Sequence, residues 1–460
     1  MEATTALKAG YAEQIITPPL GEKIPGYYQT RIAKGKITDL LVRATAFDDG
    51  ETKAVVFSCD AIGCRSPFYD MISKKIEETC GIPADCVYLH TTHSHTALRF
   101  VLPDPEDDPV YADFYPHLVR LICDCAKMAL GDLKPVTAFK IARGEAKGIS
   151  FNRRFEMKGG YYKTNPSYGN PDIIRPAGPV DESLQILRIL REEGEEILFV
   201  NFGTHPDTIG GSLYHYDWPG YTVDNLNRHF SGSVKAMLMN GAQGDVNHCN
   251  RFLPAGTKFP KCYIAQKMAR VITGEVLKIY DEAVEIPVGK IHAYRKTIKI
   301  GQNSYDPASL PLAQEIYKHH LESLKTGEKD EFLKNPDMRR RPGHPEALAM
   351  TVPEACRIVA NLKNPPVFEE TISGLQIGGV GLIGIPGEPF TQIGLDIKKD
   401  SKLDMTIVNC LVNGGRAYFP TADAYAVEGY ESQSSIYASD CAQLATDAGL
   451  AIRAEMEAKL

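Results

Sequence analysis

No stretch of the chain approaches the ~18 consecutive apolar residues that a membrane span requires. The first residues, Met1 to Lys8, lack the apolar centre of a secretion signal. Positive charge is not in excess either: 51 Lys and Arg stand against 58 Asp and Glu, a net charge of −7, and the basic residues are dispersed. That balance argues against a nucleic-acid partner. The cysteines number 11 and show no paired metal spacing; several lie inside apolar runs, so they read as reduced core thiols. Internal repeats and clear linkers are missing too. These absences leave a soluble, cytoplasmic protein without stable membrane insertion, as a monomer or homo-oligomer. With 460 residues, 43% of them hydrophobic, it can bury a large core as one domain over 1–460 or as two intimate lobes.

What stands out is Leu89-His90-Thr91-Thr92-His93-Ser94-His95-Thr96, with its histidines directly behind the apolar run Cys86-Val87-Tyr88-Leu89. That run reads as a buried strand, as does Ala54 to Asp60 upstream. Between them, Phe68, Met71, Ile72 and Ile76 carry helical spacing, and Gly81-Ile82-Pro83 supplies the stop. A strand–helix–strand unit requires parallel strands and a right-handed crossover. Leu40 to Phe47, followed by Asp48-Asp49-Gly50, pairs as a hairpin with the strand at Ala54.

The theme recurs. Glu196 to Phe202 runs into Gly203-Thr204-His205, Ala236 to Met239 into Gly241 through Asn247, Val380 to Ile385 into Pro386-Gly387-Glu388, and Thr406 to Val412 into Asn413 through Tyr418. In open α/β sheets chemistry collects beyond the carboxyl ends of strands. The expected fold is therefore α/β, mixed sheets flanked by helices, with a site at those ends drawing on His93, His95, His205, Asp245, Glu388 and Tyr418. Imidazoles and a carboxylate are the ligand types of a catalytic zinc, which lowers the pKa of its water from ~15.7 to ~7. Helices are expected near 112–130, 262–280, 309–324 and 434–457. Residues 148–179 lack periodicity and read as a pocket wall or lid, and 325–345 as a charged, solvated insertion.

In order along the chain stand Gly10-Tyr11-Ala12 through Ile16-Thr17-Pro18-Pro19, Thr92-His93-Ser94-His95, Asn152-Arg153, Gly178-Pro179-Val180-Asp181, His205-Pro206, Asp217-Trp218-Pro219-Gly220, Gly244-Asp245-Val246, Pro386-Gly387-Glu388, and Tyr418 through Tyr430-Glu431. This ordered set resembles the catalytic domain of the neutral/alkaline, non-lysosomal ceramidases. The resemblance implies a zinc-dependent amidase with one ion per chain, held by His93, His205, Glu388 and Tyr418. It makes His95 the donor to the substrate carbonyl or oxyanion, and Arg153 and Tyr430 the groups that orient the scissile amide.

Departures from the pattern redirect the expectation. Where ceramidases carry serine after Gly-Asp-Val, this chain has Asn247, an amide with no hydroxyl nucleophile but able to hydrogen-bond substrate. Thr96-Ala97-Leu98-Arg99 replaces a small Ser-Gly-Pro-Gly turn, and the expectation is a catalytic domain without the family's secretion signal and C-terminal sandwich domain. Arg99, Arg154 and Arg416 lie beside motif positions; with Asp217 and Asp245 they are candidates for substrate contact. The expected activity is hydrolysis of a carbon–nitrogen bond in a small polar or anionic molecule by zinc-bound hydroxide. A ceramide or N-acyl lipid amidase is the alternative. A metal-dependent lyase or isomerase, or a binding protein without turnover, are the readings from other classes.

Overall fold

Alternating apolar residues build the largest sheet of this computed structural model, which describes residues 7–27, 30–326, 331–341, 349–360, 362, 365–427 and 429–460. Its strands lie in the order Val234–Asn240, Glu196–Phe202, Ser183–Arg191, Lys134–Glu145, Lys8–Ile15, Leu41–Asp48, Lys53–Cys59, Val87–Thr91, with Val284–Ile286 also pairing to Lys134–Glu145. The centre is antiparallel, while the outer pair at each end is parallel. The hairpin of Leu41–Asp48 with Lys53–Cys59 and the parallel crossover to Val87–Thr91 are both present. Along Glu196–Phe202, Ile197 and Phe199 enter one core, and Leu198, Val200 and Phe202 a second. That period of two is what a strand buried on both faces needs.

Helices Ser66–Cys80 and Pro109–Gly131 join the first core, Asp217–His229 and Tyr263–Tyr280 the second. Ser66–Cys80 buries Phe68, Tyr69, Ile72 and Ile76 and ends at Gly81, whose φ of 66° is the left-handed stop expected there. A second sheet of Ile291–Gly301, Val367–Ile377, Val380–Gly384 and Met405–Asn409 carries the helix Cys441–Glu457. All eleven cysteines are free thiols. Among the described residues no helix is long and apolar enough to cross a membrane.

The ends of Val87–Thr91, Val234–Asn240 and Met405–Asn409 meet at Asn240. Its N–H donates to His90 Nε2 at 3.1 Å, and its Nδ2 donates to the Thr92 carbonyl at 3.0 Å. Its own carbonyl accepts from Asn409 Nδ2 and from the Cys410 N–H, each at 3.2 Å. All of these side chains are wholly buried or nearly so. A polar joint without water must close its hydrogen bonds internally, and this one locks three strand ends in register.

One expectation is corrected, and another lies partly outside the described residues. Residues 148–179 contain Phe151–Asn152, paired with Val246–Asn247, and a small sheet in which Arg154–Met157 lies between Tyr161–Thr164 and Ile173–Pro176. Strands this short, turned at Gly159-Gly160, leave no readable alternation. Of the 325–345 insertion, 327–330 and 342–348 lie outside the described residues, and the remainder includes helical turns at Glu331–Lys334 and Pro336–Arg339.

Candidate metal centre

Beyond its strand, the chain at His93 takes a φ of 76°, uncommon for a residue with a β-carbon and a form of strain that concentrates at functional sites. The His93 N–H donates to the Ala61 carbonyl at 2.9 Å, and the turn brings Nδ1 within 2.6 Å of the Ile62 carbonyl. His205, just past Glu196–Phe202, places Nδ1 3.1 Å from the Gln243 carbonyl. A carbonyl only accepts, so both rings carry their proton on Nδ1 and present a bare Nε2. Those two Nε2 atoms stand 3.2 Å apart, and Glu388 Oε2 lies 3.2 Å from one and 3.4 Å from the other. Glu388 Oε2 is buried and accepts no hydrogen bond. Lone pairs and a carboxylate oxygen converging without a proton between them are a donor set that a divalent cation satisfies. The residues fit a zinc ion.

Protonation agrees. Burial, then Arg153 and His93, hold His205 well below the ordinary imidazole range. Burial raises the Glu388 carboxyl, but His93, His205 and Arg153 outweigh it and the net falls well below the usual carboxylate range. A neutral imidazole and an ionised carboxylate are the forms that bind metal. Glu388 is presented by a short parallel pairing of Glu388–Pro389 with Tyr418–Phe419, which sets Tyr418 directly beside it.

His95 differs from the other two. Its Nε2 is 3.3 Å from His93 Nε2, and His93, His95 and His205 together offer ring nitrogens within 4.8 Å of one another. Its Nδ1, however, is buried with no hydrogen-bond partner, so no carbonyl commits the proton to that side. Burial, then repulsion from His93, pushes its pKa down to about 3, leaving a neutral ring that can carry its proton on Nε2. Arg31 holds the segment by donating to the His95 carbonyl at 2.7 Å while its guanidinium lies 4.2 Å above the Tyr27 ring. These groups open on a cavity of about 440 Å³, whose wall includes His93, His95, Glu388, Tyr418 and Tyr430 together with Arg65, Arg99 and Arg416.

No protein-family model and no curated protein matches the sequence. Among solved structures, neutral ceramidase from Pseudomonas aeruginosa superposes with a TM-score of 0.70 at 16% identity, covering 98% of this chain and 75% of that one. The fold is that of neutral ceramidase. A ceramidase complexed with C2 superposes at a TM-score of 0.68 and 15% identity, over 98% and 76% of the two chains.

Within this ceramidase fold the residues singled out from the sequence separate into groups. His93, His95, Glu388, Tyr418, Tyr430, Arg99 and Arg416 share the cavity, and His205 lies behind them against Glu388. Arg153 is buried; it donates to Glu431 at 2.7 Å and to the Gly244 carbonyl at 2.8 Å, with its guanidinium 5.4 Å from the Tyr418 ring and 5.9 Å from that of Tyr430. Arg154 is turned to the same Glu431 at 3.9 Å and is not part of the cavity wall. Asp245 accepts from Asn152 Nδ2 and from the N–H and hydroxyl of Thr391, bracing the start of Thr391–Lys398. Asp217 accepts from Thr208, Ile209 and Trp218, which ties the His205 loop to a helix. Asn247 donates to Asn165 and accepts from the Cys249 N–H, so its amide is occupied within the protein. None of Asp217, Asp245 and Asn247 lines the cavity.

Sequence reasoning missed Tyr27, Arg31 and Arg65. Arg65 did leave a signal. It sits at the N-cap of Ser66–Cys80, where Ser, Thr, Asp or Asn is usual, and no side chain caps that helix.

Proposed function

We propose that the chain is a zinc-dependent hydrolase that cleaves a carbon–nitrogen amide bond. The observation that carries the reading is the convergence of His93 Nε2, His205 Nε2 and the unbonded Glu388 Oε2, in a cavity on a ceramidase fold. His93, His205 and Glu388 hold the ion, with the Tyr418 phenol as fourth ligand beside Glu388. A bound zinc supplies Lewis acidity towards a carbonyl and acidifies water. His95 donates its Nε2 proton to the oxyanion that develops on the carbonyl, a role for a neutral donor fixed in advance. Tyr430 positions the scissile group from the cavity wall, and Arg153, fixed by Glu431, holds the Tyr418 and Tyr430 rings. Asn247 offers no nucleophile, so no acyl group passes through it.

The substrate has two readings, each with its own observation. The solved structures that resemble the chain are ceramidases, which favours an N-acyl lipid amide. Arg65, Arg99 and Arg416 in the cavity wall favour a polar or anionic molecule. A panel of N-acyl amides of varied head and chain, assayed for stoichiometric release of acid and amine, tests hydrolysis against elimination. In heavy-oxygen water each acid released in one turnover gains a single label. A covalent adduct trapped on any side chain, or loss of amine without acid, sinks the mechanism.

A further inference from the structure

We propose that Arg65, Arg99 and Arg416 form a subsite for a carboxylate or phosphate group carried by the substrate, in the same cavity as the metal cluster. The inference rests on the amidase reading and narrows its substrate to an N-acyl compound with an anionic head. Guanidinium groups in a cavity are ordinarily matched one to one by acids; here three arginines share the wall with Glu388, and the buried Glu370 behind them pairs with Arg416 and acts more weakly on Arg65. Among the described residues neither Arg65 nor Arg99 has a carboxylate within ion-pair distance. Arg416 reaches Glu370 at 3.3 Å, but Glu370 is shared with the Tyr437 hydroxyl at 2.7 Å.

Other acids nearby are committed elsewhere. Arg99 also borders a neighbouring cavity that carries Glu22, Asp104, Asp107 and Asp108. Asp107 pairs with Lys23, Asp108 accepts from the N–H groups of Lys23 and Tyr111, and Asp104 accepts from those of Glu106 and Asp107. Glu22, which accepts from the Tyr214 hydroxyl, is pushed up to about 8 by burial. Glu388 belongs to the metal cluster. Burial, then repulsion from Arg65, pulls Arg99 down to about 10, against a smaller opposing pull from Glu388. The Ser66–Cys80 helix begins at Arg65 with no acid in its first turn, so its positive end adds to the same field. A planar guanidinium binds carboxylate or phosphate through two parallel hydrogen bonds, and grouped arginines favour the oxyanion over a neutral hydroxyl of similar size. The apolar part of the same wall, Ile62 and Leu411, leaves room for an acyl segment.

The test is calorimetric titration of the full chain with N-acetylglycine, O-phosphorylated N-acetylethanolamine and neutral N-acetylethanolamine. Each is measured on metal-loaded and on chelator-treated protein. The expected result is at least tenfold tighter binding of one or both anions than of the neutral amide, persisting without metal and weakening with salt. The carboxylate and phosphate arms tell which oxyanion the subsite prefers. Arg99→Met and Arg65→Met should each remove most of that preference while leaving the neutral amide unchanged, and Arg99→Lys should keep part of it. If Arg99→Met does not fold, Arg65→Met carries the comparison. Equal binding of anion and neutral amide, or a preference that survives in the Met variants, overturns the subsite. Anion binding without hydrolysis of any amide refutes the amidase reading and leaves the subsite standing.

Discussion

At the scale of single residues, the division of labour proposed for the histidines turns on which nitrogen holds the proton. His93 and His205 donate from Nδ1 to backbone carbonyls, whereas His95 Nδ1 meets no acceptor. His93→Ala should therefore abolish metal occupancy, measured as about one equivalent of zinc in the parent protein. His95→Gln should keep the zinc and lower kcat by roughly 100-fold, the usual loss for one oxyanion donor. Elemental analysis of both variants, with the visible spectrum after cobalt substitution, separates ligand from donor. Loss of metal in His95→Gln would make His95 a third histidine ligand and leave the oxyanion without that donor.

At the scale of elements, the site depends on backbones that approach too closely for side chains. Gly415 has a φ of 103°, and a β-carbon there would stand 2.1 Å from the Pro386 carbonyl oxygen. This contact holds the loop before Glu388 against the loop before Tyr418, so that their short parallel pairing forms. Gly415→Ala is expected to cost about 2 kcal/mol or more in denaturant unfolding, from left-handed strain plus the clash. Zinc affinity should fall with it, because the Glu388 carboxylate is displaced. An alanine variant with parental stability and metal content would show that the two loops are placed independently.

At the scale of the whole molecule, buried neutral histidines link folding to pH. His90 accepts from Asn240 at the junction of three strand ends, and burial pushes its pKa from 6.5 down to about 3. Below pH 6.5 the unfolded chain binds a proton at this position that the folded chain refuses. The stabilisation is thus complete above pH 6.5 and is lost as pH falls toward 3, by about 2 kcal/mol at pH 5 for a single such group. Unfolding curves at pH 7, 6 and 5, followed by the fluorescence of the buried Trp218 and by far-ultraviolet dichroism, should coincide and shift together. That coincidence is expected because Asn240 ties the two sheets into one unit. His90→Gln, which keeps an acceptor for the Asn240 N–H, should flatten the pH dependence; an unchanged slope would show that another group governs acid sensitivity. Separate transitions for the two probes would show that the sheets unfold as distinct lobes.

Much of this architecture is legible in the chain itself, because local physics is written locally. Apolar runs of strand length, the helical spacing of Phe68, Ile72 and Ile76, and the stop at Gly81 act over a few residues and need no distant partner. The strand-end rule, applied to five such runs, placed His93, His205, Glu388 and Tyr418 on loops that do converge. What the linear order could not carry is which nitrogen faces which carbonyl, and which acid each arginine meets. Arg154 and Arg99 look equivalent as isolated cations beside motifs; only packing turns one toward Glu431 and leaves the other in the cavity with no carboxylate at ion-pair distance among the described residues. Asp217, Asp245 and Asn247 likewise became braces of the site rather than part of its wall, since hydrogen bonds between residues far apart in sequence have no local pattern. The chain settles where its strands and loops fall, and charge pairing across the tertiary structure decides which polar side chains remain free to meet a ligand.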